Sequence, residues 1–119
     1  MQVSIITINY NSSSFTIKLV ESIFKNVSKL IDYEIIITDN SSKISDYENL
    51  AKMLPRDKRI KLFRNIVNNG FSGGNMDGYE KSNGKYLLFI NNDCQCMNDV
   101  IKPLVKFMDS NSYVGLLTG

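Results

Sequence analysis

Four short polar segments hold most of the residues in this chain that could bind a ligand or a metal ion. In chain order they are Asn9-Tyr10-Asn11, Asp39-Asn40, Asn68–Asn75 and Asn91-Asn92-Asp93. Carboxylates and amides supply oxygen ligands and hydrogen bonds, and glycines let backbone N–H groups approach an anion. These residue types suit a phosphate group and a hard divalent cation.

Asp39 follows a buried apolar run and has two interpretations of equal weight. Its carboxylate can accept a hydrogen bond from a pyrimidine N–H or a ribose hydroxyl. It can equally do no more than cap the helix that follows.

Asn68–Asn75 include a glycine-rich segment, Gly70 to Asn75, and we interpret the whole stretch as a loop leading into a helix. Such a loop can bind phosphate through backbone N–H groups at a helix start. The spacing is not G-x-G-x-x-G, and no G-K-[ST] follows, so it is neither a dinucleotide fingerprint nor a P-loop. Taken alone, a segment of this kind is more often an ordinary turn.

Asn91-Asn92-Asp93 follows another apolar run and is a candidate cation site. Magnesium is often held by one or two carboxylates together with substrate phosphates, so Asp93 can be a ligand. Asn91 or Asn92 would add amide contacts. The alternative is a polar turn after a strand.

The composition of the chain excludes some kinds of chemistry and disfavours one class of partner. The chain has no histidine, which excludes Ser-His and Cys-His nucleophiles and histidine metal sites. Cys94 and Cys96 are one residue apart, too close for an unstrained disulfide, and are expected as free thiols. The net charge is +2 with no basic stripe, so nucleic acid is not the favoured partner. Nucleotide and membrane-surface partners stay open.

Short apolar runs rich in β-branched residues predict five strands: Val3–Ile8, Tyr33–Thr38, Ile60–Arg64, Tyr86–Ile90 and Tyr113–Leu117. Helical patterns lie between them. This alternation predicts an α/β fold, a Rossmann-like three-layer α/β/α sandwich with a mostly parallel sheet, in one domain over residues 1–119.

The helix after Asn75 is expected to run to about Asn83, with Gly84 ending it. Met76 and Tyr79 are expected on its core-facing side. Ligands of parallel sheets bind beyond the carboxyl ends of the strands, where all four polar segments lie. We therefore expect Asp39 and Asp93 to face a common cleft.

Taken together, the segments resemble the family 2 glycosyltransferases of the GT-A fold. The matching stretches are Val3–Asn11, Ile36–Ser42, Asn68–Asn75 and Gly84–Asp93, and Tyr113-Val114-Gly115 also fits. The resemblance covers essentially the whole chain. Residues 70–75, Gly-Phe-Ser-Gly-Gly-Asn, are most similar to the rhamnosyltransferase-like branch of that family.

The resemblance implies a role for each matching segment. Ile8, Asn9 and Tyr10 would line the nucleoside pocket, and Asp39 would hold the base, typically uracil or thymine. The implied nucleotide-sugar-binding residues are Ile8, Asn9, Tyr10, Asp39, Asn40, Gly70, Gly74, Asn75, Asn91 and Asn92. Asp93 would be the ligand for Mg²⁺ or Mn²⁺ in the family's D-x-D motif. Asn91 replaces the first acid of that motif, which leaves one carboxylate.

The implied activity is inverting transfer of a sugar from a UDP- or dTDP-sugar to a hydroxyl of a carbohydrate or lipid-linked acceptor. The expected setting is the synthesis of cell-surface polysaccharides. In this family the catalytic base and the acceptor site lie in a later segment. We therefore expect the chain to be the donor-binding, N-terminal part of a GT-A domain, and we name no catalytic base.

Two other function classes are alternatives for a chain of this length and pattern. A receiver domain of signalling proteins needs an acid pair after the first strand and a lysine after the fifth, where this chain has Asn9-Tyr10-Asn11 and Thr118-Gly119. A noncatalytic nucleotide-binding or scaffold domain stays open.

Location and assembly are also expectations. Met1 leads directly into a strand pattern and no apolar run approaches a membrane span, so a cytoplasmic location is expected. Peripheral membrane association and a homo-oligomer formed through an exposed sheet edge stay open.

Overall fold

A parallel four-stranded sheet organises residues 1–118, the part of the chain that the computed structural model describes. The strands are β1 (Val3–Asn9), β2 (Tyr33–Asp39), β3 (Ile60–Arg64) and β4 (Tyr86–Phe89). Their order across the sheet is β3-β2-β1-β4, and every neighbouring pair is parallel. The first four predicted strands are thus confirmed to within one residue at each end.

Four helices cover the two faces of the sheet. They are α1 (Ser13–Asn26), α2 (Ile44–Met53), α3 (Gly70–Glu80) and α4 (Ile101–Ser110). Side chains from α1, α2 and α4 join one apolar core, whereas α3 packs against the other face. The predicted three-layer α/β/α sandwich is confirmed. Within residues 1–118, no helix combines the length and the hydropathy that crossing a bilayer requires.

The two faces follow from the alternation of side chains along β1. Val3 and Ile5 lie in the core with Leu19 and Ile23 of α1, whereas Ile6 contacts α3. Because both faces are covered by helices, β1 has almost no exposed position. This burial explains the nearly continuous apolar run in the sequence.

Helix α3 approaches the sheet through glycines. A Cβ at Gly78 would lie 2.6 Å from Cγ2 of Ile6, and one at Gly74 would lie 2.8 Å from Cδ1 of Ile8. The prediction that Met76 and Tyr79 face the core is wrong, because they are 51% and 47% exposed. The glycines occupy the sheet-facing side, so the larger side chains of α3 point outward.

The boundaries of α3 also differ from the prediction. The helix already begins at Gly70, so the predicted loop over Asn68–Asn75 is mostly helical. It ends at Glu80 rather than near Asn83, and Gly84 does not end it. Gly84 instead passes against β1, where a Cβ would lie 2.4 Å from the backbone nitrogen of Ser4.

The predicted fifth strand, Tyr113–Leu117, is wrong. The backbone there has no strand pairing, and Tyr113 and Leu116 are 86% and 90% exposed. A β-strand needs a hydrogen-bonded neighbour, and within residues 1–118 β4 ends the sheet with its outer edge unpaired. Self-association through this edge stays a prediction.

Candidate functional site

A cleft of about 340 Å³ opens at the carboxyl ends of β1 and β4. This is the edge of a parallel sheet at which ligands bind. The lining residues are Ile8, Tyr10, Ser12, Phe71, Asn75, Ile90, Asn91, Asn92 and Asp93. Three of the four predicted polar segments therefore contribute to one cleft.

The cleft combines aromatic walls with polar groups. Tyr10 and Phe71 are 52% and 67% exposed, so their rings are available to a ligand. Asp93 is exposed and supplies the only carboxylate among the described residues that line the cleft. Phe71 belongs to the predicted glycine-rich segment, but the sequence did not indicate that it lines the cleft.

The other predicted site residues do not line the cleft. Asn9 and Asp39 have no exposed surface, and Asn40 is 2% exposed. Gly74 is buried against Ile8, and Gly70 is exposed with its carbonyl bonded to Asn40. These residues lie at the same edge of the sheet, behind or beside the cleft.

Asp39 is held entirely by protein groups. Its Oδ1 accepts hydrogen bonds from Nδ2 of Asn9 (2.9 Å) and from Oγ of Ser42 (2.6 Å). Its Oδ2 accepts from the backbone N–H of Ser42 and from Nη1 of Arg64, each at 3.2 Å. Asp39 and Asp93 thus share one edge of the sheet, but only Asp93 faces the cleft. Base binding by Asp39 stays a prediction.

Asn9 connects three elements through its buried amide. Its Nδ2 lies within hydrogen-bonding distance of carboxylate oxygens of Asp39 (2.9 Å) and Asp46 (3.0 Å). Its Oδ1 accepts a hydrogen bond from Oγ1 of Thr16 (2.8 Å). The two carboxylates fix the orientation of the amide, because only its nitrogen can donate to them.

Thr16 extends this network to the cleft. Its Oγ1 accepts a hydrogen bond from Nδ2 of Asn92 (3.0 Å), and the same nitrogen donates to Oγ of Ser12 (2.7 Å). Ser12 precedes α1, but its hydroxyl makes no capping bond to that helix. We call Asn92, Thr16, Asn9 and Asp39 the buried polar chain, since they are joined in this order by hydrogen bonds.

Asp46, in the first turn of α2, is a site residue that the sequence analysis missed. Burial raises the pKa of this carboxyl, but hydrogen bonds from Asn9 and from Ser13 outweigh burial and lower the pKa overall. Its Oδ1 accepts from the backbone N–H of Ser13 at 3.1 Å. An acidic residue in the first turn of the helix after Asp39 was the available signal.

Asn40 fixes the start of α3 relative to the sheet. Its Oδ1 accepts hydrogen bonds from the backbone N–H of Asn69 (3.0 Å) and from Nδ2 of Asn65 (3.1 Å). Its Nδ2 donates to the carbonyl of Gly70 (2.9 Å). The first turns of α3 carry Phe71 and Asn75, so Asn40 sets one wall of the cleft.

A divalent cation such as Mg²⁺ needs several oxygen ligands. In residues 1–118 no three His, Cys, Asp or Glu side chains are grouped to hold a metal ion. Asp93 and Asn91 nevertheless both line the cleft, and their side chains carry a carboxylate and an amide oxygen. This pair fits a hard cation that takes its remaining ligands from substrate phosphates and water.

Comparison with known proteins identifies the family. Residues 4–118 match the family described as Glycosyl transferase family 2. An uncharacterized glycosyltransferase of Rickettsia bellii is 30% identical over 113 residues, covering 95% of this chain and 16% of the relative. A poly(ribitol-phosphate) beta-glucosyltransferase of Bacillus spizizenii is 28% identical, covering 93% of this chain and 18% of the relative. The chain therefore spans less than a fifth of the length of these two relatives.

The solved structures agree on the fold. Residues 1–349 of S. aureus TarS superpose with a TM-score of 0.74 at 22% identity, covering 94% of this chain and 33% of that one. The same fragment of TarS has been solved with UDP and with UDP-GlcNAc. At this identity the likeness shows a shared GT-A fold, and the match over residues 4–118 shows the family. The chain belongs to glycosyl transferase family 2.

Proposed function

We propose that this chain binds the donor of an inverting glycosyltransferase that moves a sugar from a UDP- or dTDP-sugar to an acceptor hydroxyl. The observation that carries the proposal is the cleft at the carboxyl edge of the sheet, which Asp93 and Asn91 line together with the aromatic side chains of Tyr10 and Phe71. The UDP and UDP-GlcNAc complexes of TarS support a nucleotide-sugar ligand for this fold.

The lining residues form two groups, one at each end of the cleft. Ile8 and Tyr10, after β1, would contact the nucleoside, and an aromatic ring is suited to stacking on a base. Asn91 and Asp93, after β4, would face the diphosphate and hold Mg²⁺ or Mn²⁺. When bound, such a cation would neutralise charge on the departing diphosphate. Asn75 would flank the donor between the two ends.

Asp39 keeps its predicted role of holding the base, with one condition. All four of its hydrogen bonds come from protein groups, and it has no exposed surface. Direct contact with a base therefore requires the ligand to replace one of these bonds. The rhamnosyltransferase-like branch likewise stays a prediction.

The acceptor and the cellular setting belong to the same proposal. The Bacillus spizizenii relative is named for a polymer acceptor, which supports a role in cell-surface polysaccharide synthesis. We propose a carbohydrate or lipid-linked acceptor and a cytoplasmic location, with peripheral membrane association. The relatives are much longer than this chain, so we expect transfer to need residues corresponding to their further length.

Calorimetric titration with UDP and with dTDP, with and without Mn²⁺, tests the proposal. Asp93→Asn removes the charge of the cleft carboxylate and keeps its shape. We expect it to weaken UDP binding in Mn²⁺ by about tenfold and to leave metal-free binding nearly unchanged. The variant should lose the gain in affinity that Mn²⁺ gives the wild type.

Asp32→Asn is the matched control, because Asp32 is an exposed aspartate before β2, at the opposite edge of the sheet. It should bind both nucleotides like the wild type. Absence of saturable binding of either nucleotide to the wild type would refute the donor site. An undiminished Mn²⁺ effect in Asp93→Asn would refute the ligand assignment alone.

A further inference from the structure

Thr16 lies at the centre of the buried polar chain. Its side chain has no exposed surface, and α1 places it between the ends of β1 and β4. Its hydroxyl accepts a hydrogen bond from Asn92 at 3.0 Å and donates one to Asn9 at 2.8 Å. Within residues 1–118, Thr16 is the only side chain that hydrogen-bonds to both of these asparagines.

The hydrogen bonds of the chain all point the same way. Asn92 donates to Thr16, Thr16 donates to Asn9, and Asn9 donates toward the carboxylates of Asp39 and Asp46. Bonds in such a series polarise one another, and negative charge at the end strengthens each of them. The position of Asn92 is therefore tied to the arrangement around Asp39.

Each end of this chain adjoins one end of the cleft. Asn92 lies between Asn91 and Asp93 in the turn after β4, and all three line the cleft. Asn9 precedes Tyr10 and pairs with Asp39 across the β1–β2 register. A shift of the turn after β4 would therefore displace the residues beside the nucleoside end.

We propose that Thr16 is a positioning residue that couples the diphosphate and cation end of the cleft to its nucleoside end. This inference rests on the proposed donor site and adds cooperativity to it: occupation of one end favours the arrangement that the other end requires. Coupling between sites typically changes affinities by about 5- to 150-fold, and it is reciprocal.

The matched substitutions Thr16→Val and Thr16→Ser separate the hydroxyl from the shape of the side chain. Valine keeps the branched shape and removes the hydroxyl, whereas serine keeps the hydroxyl. The measured quantity is the ratio of UDP dissociation constants without and with Mn²⁺, which is the enhancement of binding by the metal. We expect Thr16→Val to lower this ratio by about fivefold or more and Thr16→Ser to retain most of it.

Thr7→Val is the control for a buried Thr-to-Val change. Thr7 is buried in β1, and its hydroxyl has no hydrogen-bond partner within residues 1–118. This variant should keep the ratio of the wild type. The inference is overturned if Thr16→Val keeps that ratio, if Thr16→Ser loses as much as Thr16→Val, or if Thr7→Val loses as much.

Asn92→Ala removes the hydrogen bond between Asn92 and Thr16 by changing its other partner, in the turn after β4. It provides the test if Thr16→Val does not fold. Asn92→Ala alone should lower the ratio. Where Thr16→Val folds, the double variant Thr16→Val/Asn92→Ala should lower the ratio no further than the larger single effect, because both changes remove the same hydrogen bond. A wild-type ratio in Asn92→Ala, or additive losses in the double variant, would overturn the coupling. A wild type that binds no UDP would instead refute the proposed function.

Discussion

The buried amide of Asn9 shows how one residue type is dictated by its neighbours. The side chain has no exposed surface, and its nitrogen faces Asp39 and Asp46 while its oxygen accepts from Thr16. An amide is the neutral group of this size that both donates to two carboxylates and accepts from a hydroxyl. A residue without that donor would remove one hydrogen bond to Asp39 and one to the partly buried Asp46.

We therefore predict that Asn9→Asp destabilises the fold although it preserves shape. The new carboxylate would have no N–H to donate to Asp39 and Asp46. It would also add a third negative group beside them, where Arg64 is the positively charged side chain that contacts Asp39. The expected loss in the free energy of unfolding at neutral pH is about 3 kcal/mol, measured by urea denaturation.

Asn91→Asp is the corresponding control in the open cleft. Asn91 is exposed, so the same chemical change should alter stability by less than about 0.5 kcal/mol. Equal stability of Asn9→Asp and the wild type would show that the amide is not the connector described here.

At the scale of elements, the contact between α3 and the sheet depends on the absence of side chains. A Cβ at Gly78 would meet Ile6 at 2.6 Å and Oγ1 of Thr38 at 3.4 Å. We predict that Gly78→Ala lowers the free energy of unfolding by about 1–3 kcal/mol through overpacking. This loss would appear even though alanine favours an isolated helix by about 1 kcal/mol.

Thermal and urea unfolding measure this effect, and Gly115→Ala is the control because a Cβ there meets nothing within 4 Å. That variant should unfold like the wild type. If Gly78→Ala were as stable as the wild type, the close packing of α3 on β1 would be wrong.

The elements themselves were largely predictable because burial on both faces leaves a simple signature. Val3–Asn9 and Tyr33–Asp39 are short segments rich in isoleucine, as is typical of strands buried between two helical layers. The start of α3 was not predictable from Gly70, since glycine has a low helix propensity. Only the structure shows that Asn40 donates a hydrogen bond to the Gly70 carbonyl at this point. Residues 113–117 were misassigned because strand formation depends on a neighbour that the local sequence does not specify.

The sequence predicted which edge of the sheet carries the cleft, but it did not predict the side-chain contacts there. The structure has a cleft at the ends of β1 and β4, but the sequence could not show that Asp39, at the end of β2, turns inward while Asp93 faces the cleft. Thr16 did leave a signal, because it falls in helical register with Leu19, Val20 and Ile23 and so lies on the buried face of α1. A polar residue at a buried position next to a predicted site is a candidate for a positioning role.

Across the whole molecule, the carboxylates of Glu34 and Asp93, at opposite edges of the sheet, differ in whether they have hydrogen-bond partners within residues 1–118. At the amino edge, Glu34 is buried and accepts hydrogen bonds from Ser4 (2.6 Å) and from the backbone of Asn83 (2.7 Å), and it pairs with Lys61. Burial raises the pKa of Glu34, but bonds from Lys61, Ser4 and Asn83 lower it overall. These partners hold the carboxylate within the protein, so it offers nothing to a ligand.

At the carboxyl edge the same sheet ends in an open cleft whose carboxylate, Asp93, is exposed. We propose that a nucleotide binds there. Backbone amide chemical shifts of the ¹⁵N-labelled chain, followed by NMR during titration with UDP and Mg²⁺, test this claim most directly. We predict saturable shifts at Tyr10, Asn75 and Asp93 and none at Asn83 or Lys85, which line an open groove at the amino edge. Shifts that are largest at Asn83 and Lys85, or no saturable shift at millimolar UDP, would contradict it.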